Sequence, residues 1–165
     1  MLEARSPLGT AAHFDLPGIT LREAAGFTLT QLAGEEKALK KACGKLPAFG
    51  KADVQEAATS FRIAPSQVWV VGAAPGKLAG LHVTPLSSGR TRIALEGARA
   101  RALLAACAAV DFALESFAPG QVAMTGFHHT PVLIHCTGED TFHIYAMRSF
   151  AHSVWGWLVD AAQGL

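Results

Sequence analysis

Pro131-Val132-Leu133-Ile134-His135-Cys136-Thr137-Gly138-Glu139-Asp140-Thr141-Phe142-His143-Ile144-Tyr145-Ala146-Met147 is the most legible stretch of the chain, and the architecture follows from it. Two runs rich in β-branched and aromatic residues flank Gly138-Glu139-Asp140, a turn composition, so the stretch reads as a β-hairpin. Setting Thr137 opposite Thr141 aligns Val132, Ile134, Cys136, Phe142, Ile144 and Ala146 on one face. All six are apolar, and a slip of one residue would turn the whole set outward, so this face is the core. The other face carries Leu133, His135, His143, Tyr145 and Met147, with His135 directly opposite His143.

Upstream, Val122-Ala123-Met124 can pair with Pro131–Cys136 around His128-His129-Thr130. Downstream, a helix is expected from Ser149, a suitable N-cap, to Gln163, with Phe150, Val154, Trp157, Leu158 and Ala161 along one face. Gly97 to Val110 reads as a second helix, because Ala100, Leu103, Leu104 and Cys107 repeat at i, i+3, i+4 and i+7. Leu81–Leu86 and Thr91–Leu95 flank Ser87-Ser88-Gly89 and read as a hairpin. Phe61-Arg62-Ile63 and Val68–Val71 read as strands around Pro65-Ser66, and 48–60 as loop with a turn of helix. Ile19–Leu32 suits one or two short strands, and Gly34–Lys45 a helix with Glu35 and Glu36 in its first turn. Residues 1–18, with Ser6-Pro7 and Pro17-Gly18 but no periodicity, read as an extended arm preceding one domain over 19–165. Strands interleaved with amphipathic helices predict an α+β fold, a largely antiparallel sheet with helices packed on one face.

Half of the 165 residues are apolar and 16% are charged, against about 25% charged in ordinary globular domains. So thin a polar coat leaves apolar surface over, which points to a partner or a ligand groove. A formal net charge of +1 gives no field for nucleic acid or anionic lipid. No apolar run reaches the ~20 residues of a membrane span. The N-terminus lacks a basic stretch followed by an apolar one, so no secretory signal is expected. Cys43, Cys107 and Cys136 are odd in number and far apart, against a disulfide framework or a cysteine zinc site, and a cytoplasmic setting is expected.

Gly72-Ala73-Ala74-Pro75-Gly76-Lys77-Leu78 resembles a phosphate loop and fails as one. Its glycines are one residue too close, Leu78 stands where Ser or Thr would hold magnesium, and Pro75 removes a backbone donor. His135 and His143 could converge on a metal, but no third ligand is evident and Cys136 lies on the opposite face. They read as a histidine pair at a polar or partner-facing surface. Asp111 suits either a cap region or a ligand contact. Arg99 and Arg101 sit in the first turn of their helix, where the dipole disfavours cations; a partner carboxylate, an anionic ligand or solvation would each excuse them. No catalytic residue is assigned. Trp155 and Trp157 lie ~200° apart on a helix, so one can enter the core while the other faces outward. With Arg148, they are the expected interface residues.

Arg148-Ser149-Phe150-Ala151, Trp155, Trp157-Leu158 and Asp160-Ala161-Ala162 resemble the terminal helix of heterotetrameric sarcosine oxidase gamma subunits. Ile93–Gly97, Leu103-Leu104, Asp111, Pro119-Gly120, Phe142–Tyr145 and Thr28–Gly34 extend the resemblance over 19–163. The family's Trp-x-Gly-Pro-like segment carries a second Trp that Trp69–Ala74 lacks, which leaves open a sister complex such as N-methylglutamate dehydrogenase. The resemblance implies the folate-binding fold of aminomethyltransferases and a structural role beside alpha, beta and delta chains that oxidatively demethylate sarcosine to glycine. It implies FAD, FMN, NAD, tetrahydrofolate and zinc on those other subunits and none on this chain alone. A stand-alone folate-binding or aminomethyl-transfer protein is the alternative from another class, and a metal-dependent hydrolase using the histidines is a third.

Overall fold

The computed structural model describes residues 5–9, 12–76 and 78–165. Its strands are β1 (His13–Leu16), β2 (Ile19–Glu23), β3 (Leu29–Gly34), β4 (Ala52–Val54), β5 (Ala58–Ala64), β6 (Gln67–Gly72), β7 (Leu81–Pro85), β8 (Arg90–Glu96), β9 (Val122–Phe127), β10 (Thr130–Gly138) and β11 (Thr141–Met147). The helices are α1 (Glu36–Cys43), α2 (Ala100–Cys107) and α3 (Ala151–Gly164).

Two antiparallel sheets lie face to face. The first has the order β1-β2-β8-β11-β10-β9, the second β4-β5-β6-β3-β7. The hairpin β10–β11 has the expected register, with Val132 opposite Ala146, Ile134 opposite Ile144 and Cys136 opposite Phe142. A bulge between Cys136 and Gly138 closes it, and the Thr137 and Thr141 hydroxyls meet at 3.2 Å. The six apolar residues of that face are all buried, packed with Leu103 and Leu104 of α2 and Val154 and Leu158 of α3. On this sheet the α+β expectation holds, helices on one face.

The opposite face of the hairpin is not a surface. Leu133 and Tyr145 pack against Leu29, Phe61 and Trp69 of the second sheet, and His135 is only 5% exposed. A second sheet, whose edge lies in the region read as loop, covers this face: β4 and the start of β5 fall within 48–60. The outer face of the second sheet is closed by α1, whose Leu39 joins Leu32, Val68 and Val70. The layers therefore run helix, sheet, sheet, helix.

β7 and β8 are not a hairpin. β7 pairs with β3 in the second sheet and β8 with β2 and β11 in the first. Ser87–Gly89 is a 3-10 turn carrying the chain across, and Ser87 Oγ accepts from the Leu29 backbone N–H at 2.9 Å. That hydroxyl takes the place of the strand partner Leu29 loses there.

The segment read as an arm contributes β1, which pairs with β2 at the edge of the first sheet; residues 1–4, 10 and 11 lie outside the described residues. The stripe Ala100, Leu103, Leu104 and Cys107 is buried as expected, on a helix shorter than 97–110. α3 begins at Ala151, not at a Ser149 cap, because Arg148–Phe150 tightens into a 3-10 turn first. Its buried line is Ala151, Val154, Leu158 and Ala162, so Phe150 is exposed and Trp157 and Ala161 flank the line, half-buried.

Candidate functional site

The two-sheet sandwich brings a group of polar side chains together on the side of β8, β10 and β11 that faces the second sheet. Alternation along these strands sets Arg92, His135, His143 and Tyr145 on the face that meets the second sheet. Arg92 is the Cα partner of Tyr145, and His143 of both His135 and Ala94. A cleft of about 230 Å³ opens there, lined by Thr59, Val71, Arg92, His135, His143 and Tyr145 among others.

Low polarity around this cleft acts on each group in the same way. Burial pushes His135 down to about 4. Burial, reinforced by Arg92, His135 and Arg22, takes His143 to about 4. Burial raises the Tyr145 phenol, with Arg92 opposing it. Both imidazoles are therefore neutral at pH 7, since the charged form is the one desolvation disfavours. The His135 ring meets Phe61 edge-on at 5.1 Å, and its Nε2 is buried with no hydrogen-bond partner. Arg92 Nε donates to the Ala24 carbonyl at 3.2 Å, and the guanidinium lies over the Phe27 ring at 4.8 Å. Among the described residues, no group of three or more His, Cys, Asp or Glu side chains is arranged to hold a metal ion.

Among the described residues that line the cleft Arg92 alone is a strong base or acid, and it was not singled out in the sequence. The signal was present: in Thr91-Arg92-Ile93 it alternates against the core residues Thr91 and Ile93. Once β8 is set beside β11 it must share a face with Tyr145. That pairing was masked by the expected β7–β8 hairpin.

The other sequence candidates separate into two groups. Arg101 is not solvated: its guanidinium donates to the carbonyls of Phe112 at 2.6 Å, Phe117 at 3.0 Å and Glu139. It also faces Asp140 at 3.5 Å and covers the Phe142 ring, so it ties the α2–β9 connection to the β10–β11 turn. Asp111 accepts from the Ala113 backbone N–H at 3.0 Å; a Ser116 hydrogen bond, then that Ala113 N–H, hold its carboxyl below the usual range. It orders its own loop. Cys107 is buried, which pushes its thiol up to about 11, and burial also raises Cys136.

Arg148 is exposed and donates to the Arg5 carbonyl. It lines a groove with Arg90, Ser88, Phe27 and Glu23, and Glu23 is engaged by Ser6. Trp155 and Trp157 both pack at the margin of the helix-side core, half-buried. Trp157 stacks on Phe127 at 6.4 Å and lies 4.7 Å from His128. Trp157 does not face fully out, because the turn bearing His128, at a positive φ of 51°, packs against its ring.

No curated protein matches the sequence. A chain of the heterotetrameric sarcosine oxidase from Corynebacterium sp. U-96, solved in complex with pyrrole 2-carboxylate, is 26% identical. The match covers 88% of this chain and 84% of that one, with a TM-score of 0.79. The glycine cleavage system aminomethyltransferase T from Bartonella henselae shares the fold at a TM-score of 0.63 and 17% identity; 87% of this chain spans 46% of that protein. The family described as "Sarcosine oxidase, gamma subunit family" matches residues 70–164, more than half of the chain. On that match the chain belongs to the sarcosine oxidase gamma subunit family.

Proposed function

We propose that this chain is the non-catalytic gamma subunit of a heterotetrameric, flavin-dependent sarcosine oxidase, serving as a structural piece beside alpha, beta and delta chains. In this reading FAD, FMN, NAD, tetrahydrofolate and zinc reside on those chains, which demethylate sarcosine to glycine. The observation that carries it is the likeness, over 88% of the chain, to a chain of a heterotetrameric sarcosine oxidase. The chemistry of the side chains supports a structural role. Arg101 and Asp111 are spent on loop geometry. The Cys107 and Cys136 thiols are buried and held protonated, which makes them poor nucleophiles.

Docking in this proposal uses the end of β11 and α3, through Arg148, Trp155 and Trp157. Half-buried tryptophans with an exposed arginine nearby in sequence are the composition of interface hot spots. The exposed Phe150, between them in sequence, adds apolar area. No helix among the described residues is long and apolar enough to cross a membrane. The free thiols suit a reducing compartment, and the proposal puts the complex in the cytoplasm.

Co-expression with candidate flavoprotein chains, followed by affinity capture through a tag on this chain, tests the assignment. The expected result is recovery of a stable complex that carries flavin and oxidises sarcosine. Partner chains that assemble and oxidise sarcosine equally well without this chain would overturn it.

A further inference from the structure

The cleft between the sheets has an unbalanced lining. Among the described residues it holds one guanidinium, two imidazoles and a phenol, and neither Asp nor Glu lines it. Among the described residues Arg92 has no carboxylate partner. A half-buried guanidinium without a counter-charge is costly unless an anion or water meets it. His135, which lines the same cleft, is 5% exposed, and its Nε2 has no hydrogen-bond partner. A buried polar atom with nothing to bond in a native fold calls for an occupant.

We propose that this cleft is a binding site for a small monocarboxylate, paired with the Arg92 guanidinium and hydrogen-bonded by His135, His143 and Tyr145. Three observations select this ligand. The space, about 230 Å³, falls below the roughly 300–1,000 Å³ of sites for drug-sized molecules, so the occupant is small. With both imidazoles neutral at pH 7, the lining supplies a single positive charge, which a monoanion balances and a dianion does not. The guanidinium fork matches a carboxylate geometrically, and Val54 and Val71 offer a short apolar wall to its carbon substituent. Arg92 is held in place for this role by Ala24 and Phe27, so little of its freedom is lost on binding. The inference rests on the lining of the cleft and not on membership of an oxidase, so the two can fail separately.

Equilibrium dialysis of the full chain against labelled acetate, with unlabelled formate and phosphate as competitors, tests it. The expected result is saturable uptake of one acetate per chain, displaced by formate and poorly by phosphate. Arg92→Gln should weaken uptake by about tenfold or more, as loss of a charge-assisted pair does, whereas Arg99→Gln, outside the cleft, should leave it unchanged. Because Arg92 also supports Ala24, the unmodified chain supplies a second reading: saturating acetate should shift the imidazole nitrogen resonances of His135 and His143 and leave those of His152 unmoved. Non-saturable uptake, uptake that survives Arg92→Gln, displacement by phosphate alone, or unmoved His135 and His143 resonances would each overturn the proposal.

Discussion

His135 and His143 face each other as Cα partners across the β10–β11 hairpin, between two sheets, and each is held to a pKa of about 4. Unfolded, each would titrate near 6.5. Between those values the unfolded chain binds protons that the native chain refuses, so stability is present in full above about pH 6.5 and is lost as pH falls toward 4. For His135 the shift is worth roughly 3 kcal/mol. The thermal unfolding midpoint should therefore fall markedly between pH 7 and 4.5, and His135→Leu should flatten that slope. A variant as acid-sensitive as the parent would show that this pair does not set the acid limit.

Arg101 joins the α2–β9 connection to the β10–β11 turn through the carbonyls of Phe112, Phe117 and Glu139. Arg101→Met keeps an apolar stem but removes the guanidinium over Phe142 and leaves those acceptors without their donor, a loss of about 2–4 kcal/mol. Lys in its place cannot reproduce the fork. Chemical denaturation should show Arg101→Lys recovering less than half of the deficit of Arg101→Met. Full recovery would mean that charge alone, opposite Asp140, is what matters.

Gly97 joins β8 to α2 at a φ of +123°, and a Cβ there would sit 2.3 Å from the Gly18 carbonyl oxygen. Gly72, at +104°, has the Ala57 carbonyl at 2.4 Å in the same sense. Neither obstacle is a flexible side chain that can step aside. Gly97→Ala should lower stability by about 3 kcal/mol or more, combining backbone strain with the steric clash. Gly76→Ala, with open space around it, should change the midpoint by less than about 0.5 kcal/mol. Equal effects at the two positions would contradict the close approach of the Gly18 turn to Gly97.

The helix-bearing sheet was legible in the sequence because Val132, Ile134, Cys136, Phe142, Ile144 and Ala146, on one face of its central hairpin, are all apolar. Val132 to Ala146 and the Ala100–Cys107 stripe each had a single workable register. The second sheet was hidden for a physical reason: Lys51-Ala52-Asp53-Val54 carries little β-propensity, and β4 exists because Ala52–Val54 can pair with Thr59–Phe61. The crossover at Ser87–Gly89 was misread because a turn composition is the same whether it returns to the same sheet or passes to another. The site followed suit. The opposition of His135 and His143 was legible from pairing alone, but their burial, and the company of Arg92, depend on a sheet that local pattern did not announce.

The docking assignment separates stability from assembly. Trp157 stacks on Phe127, so Trp157→Ala should cost about 2–3 kcal/mol in the chain itself, somewhat less than a fully buried ring. Arg148 is exposed, and Arg148→Glu should leave stability within about 0.5 kcal/mol while cutting recovery of partner chains in affinity capture by about tenfold, as reversal of an interface charge does. Unimpaired recovery with Arg148→Glu would move the docking surface elsewhere.

Sarcosine turnover by the purified chain, measured with and without its companion chains, weighs the structural reading as a whole. No turnover should be found with this polypeptide by itself, in the presence of FAD, FMN, NAD and tetrahydrofolate, and full activity should return only in the reconstituted assembly. Demethylation of sarcosine by the solitary chain would contradict the reading outright.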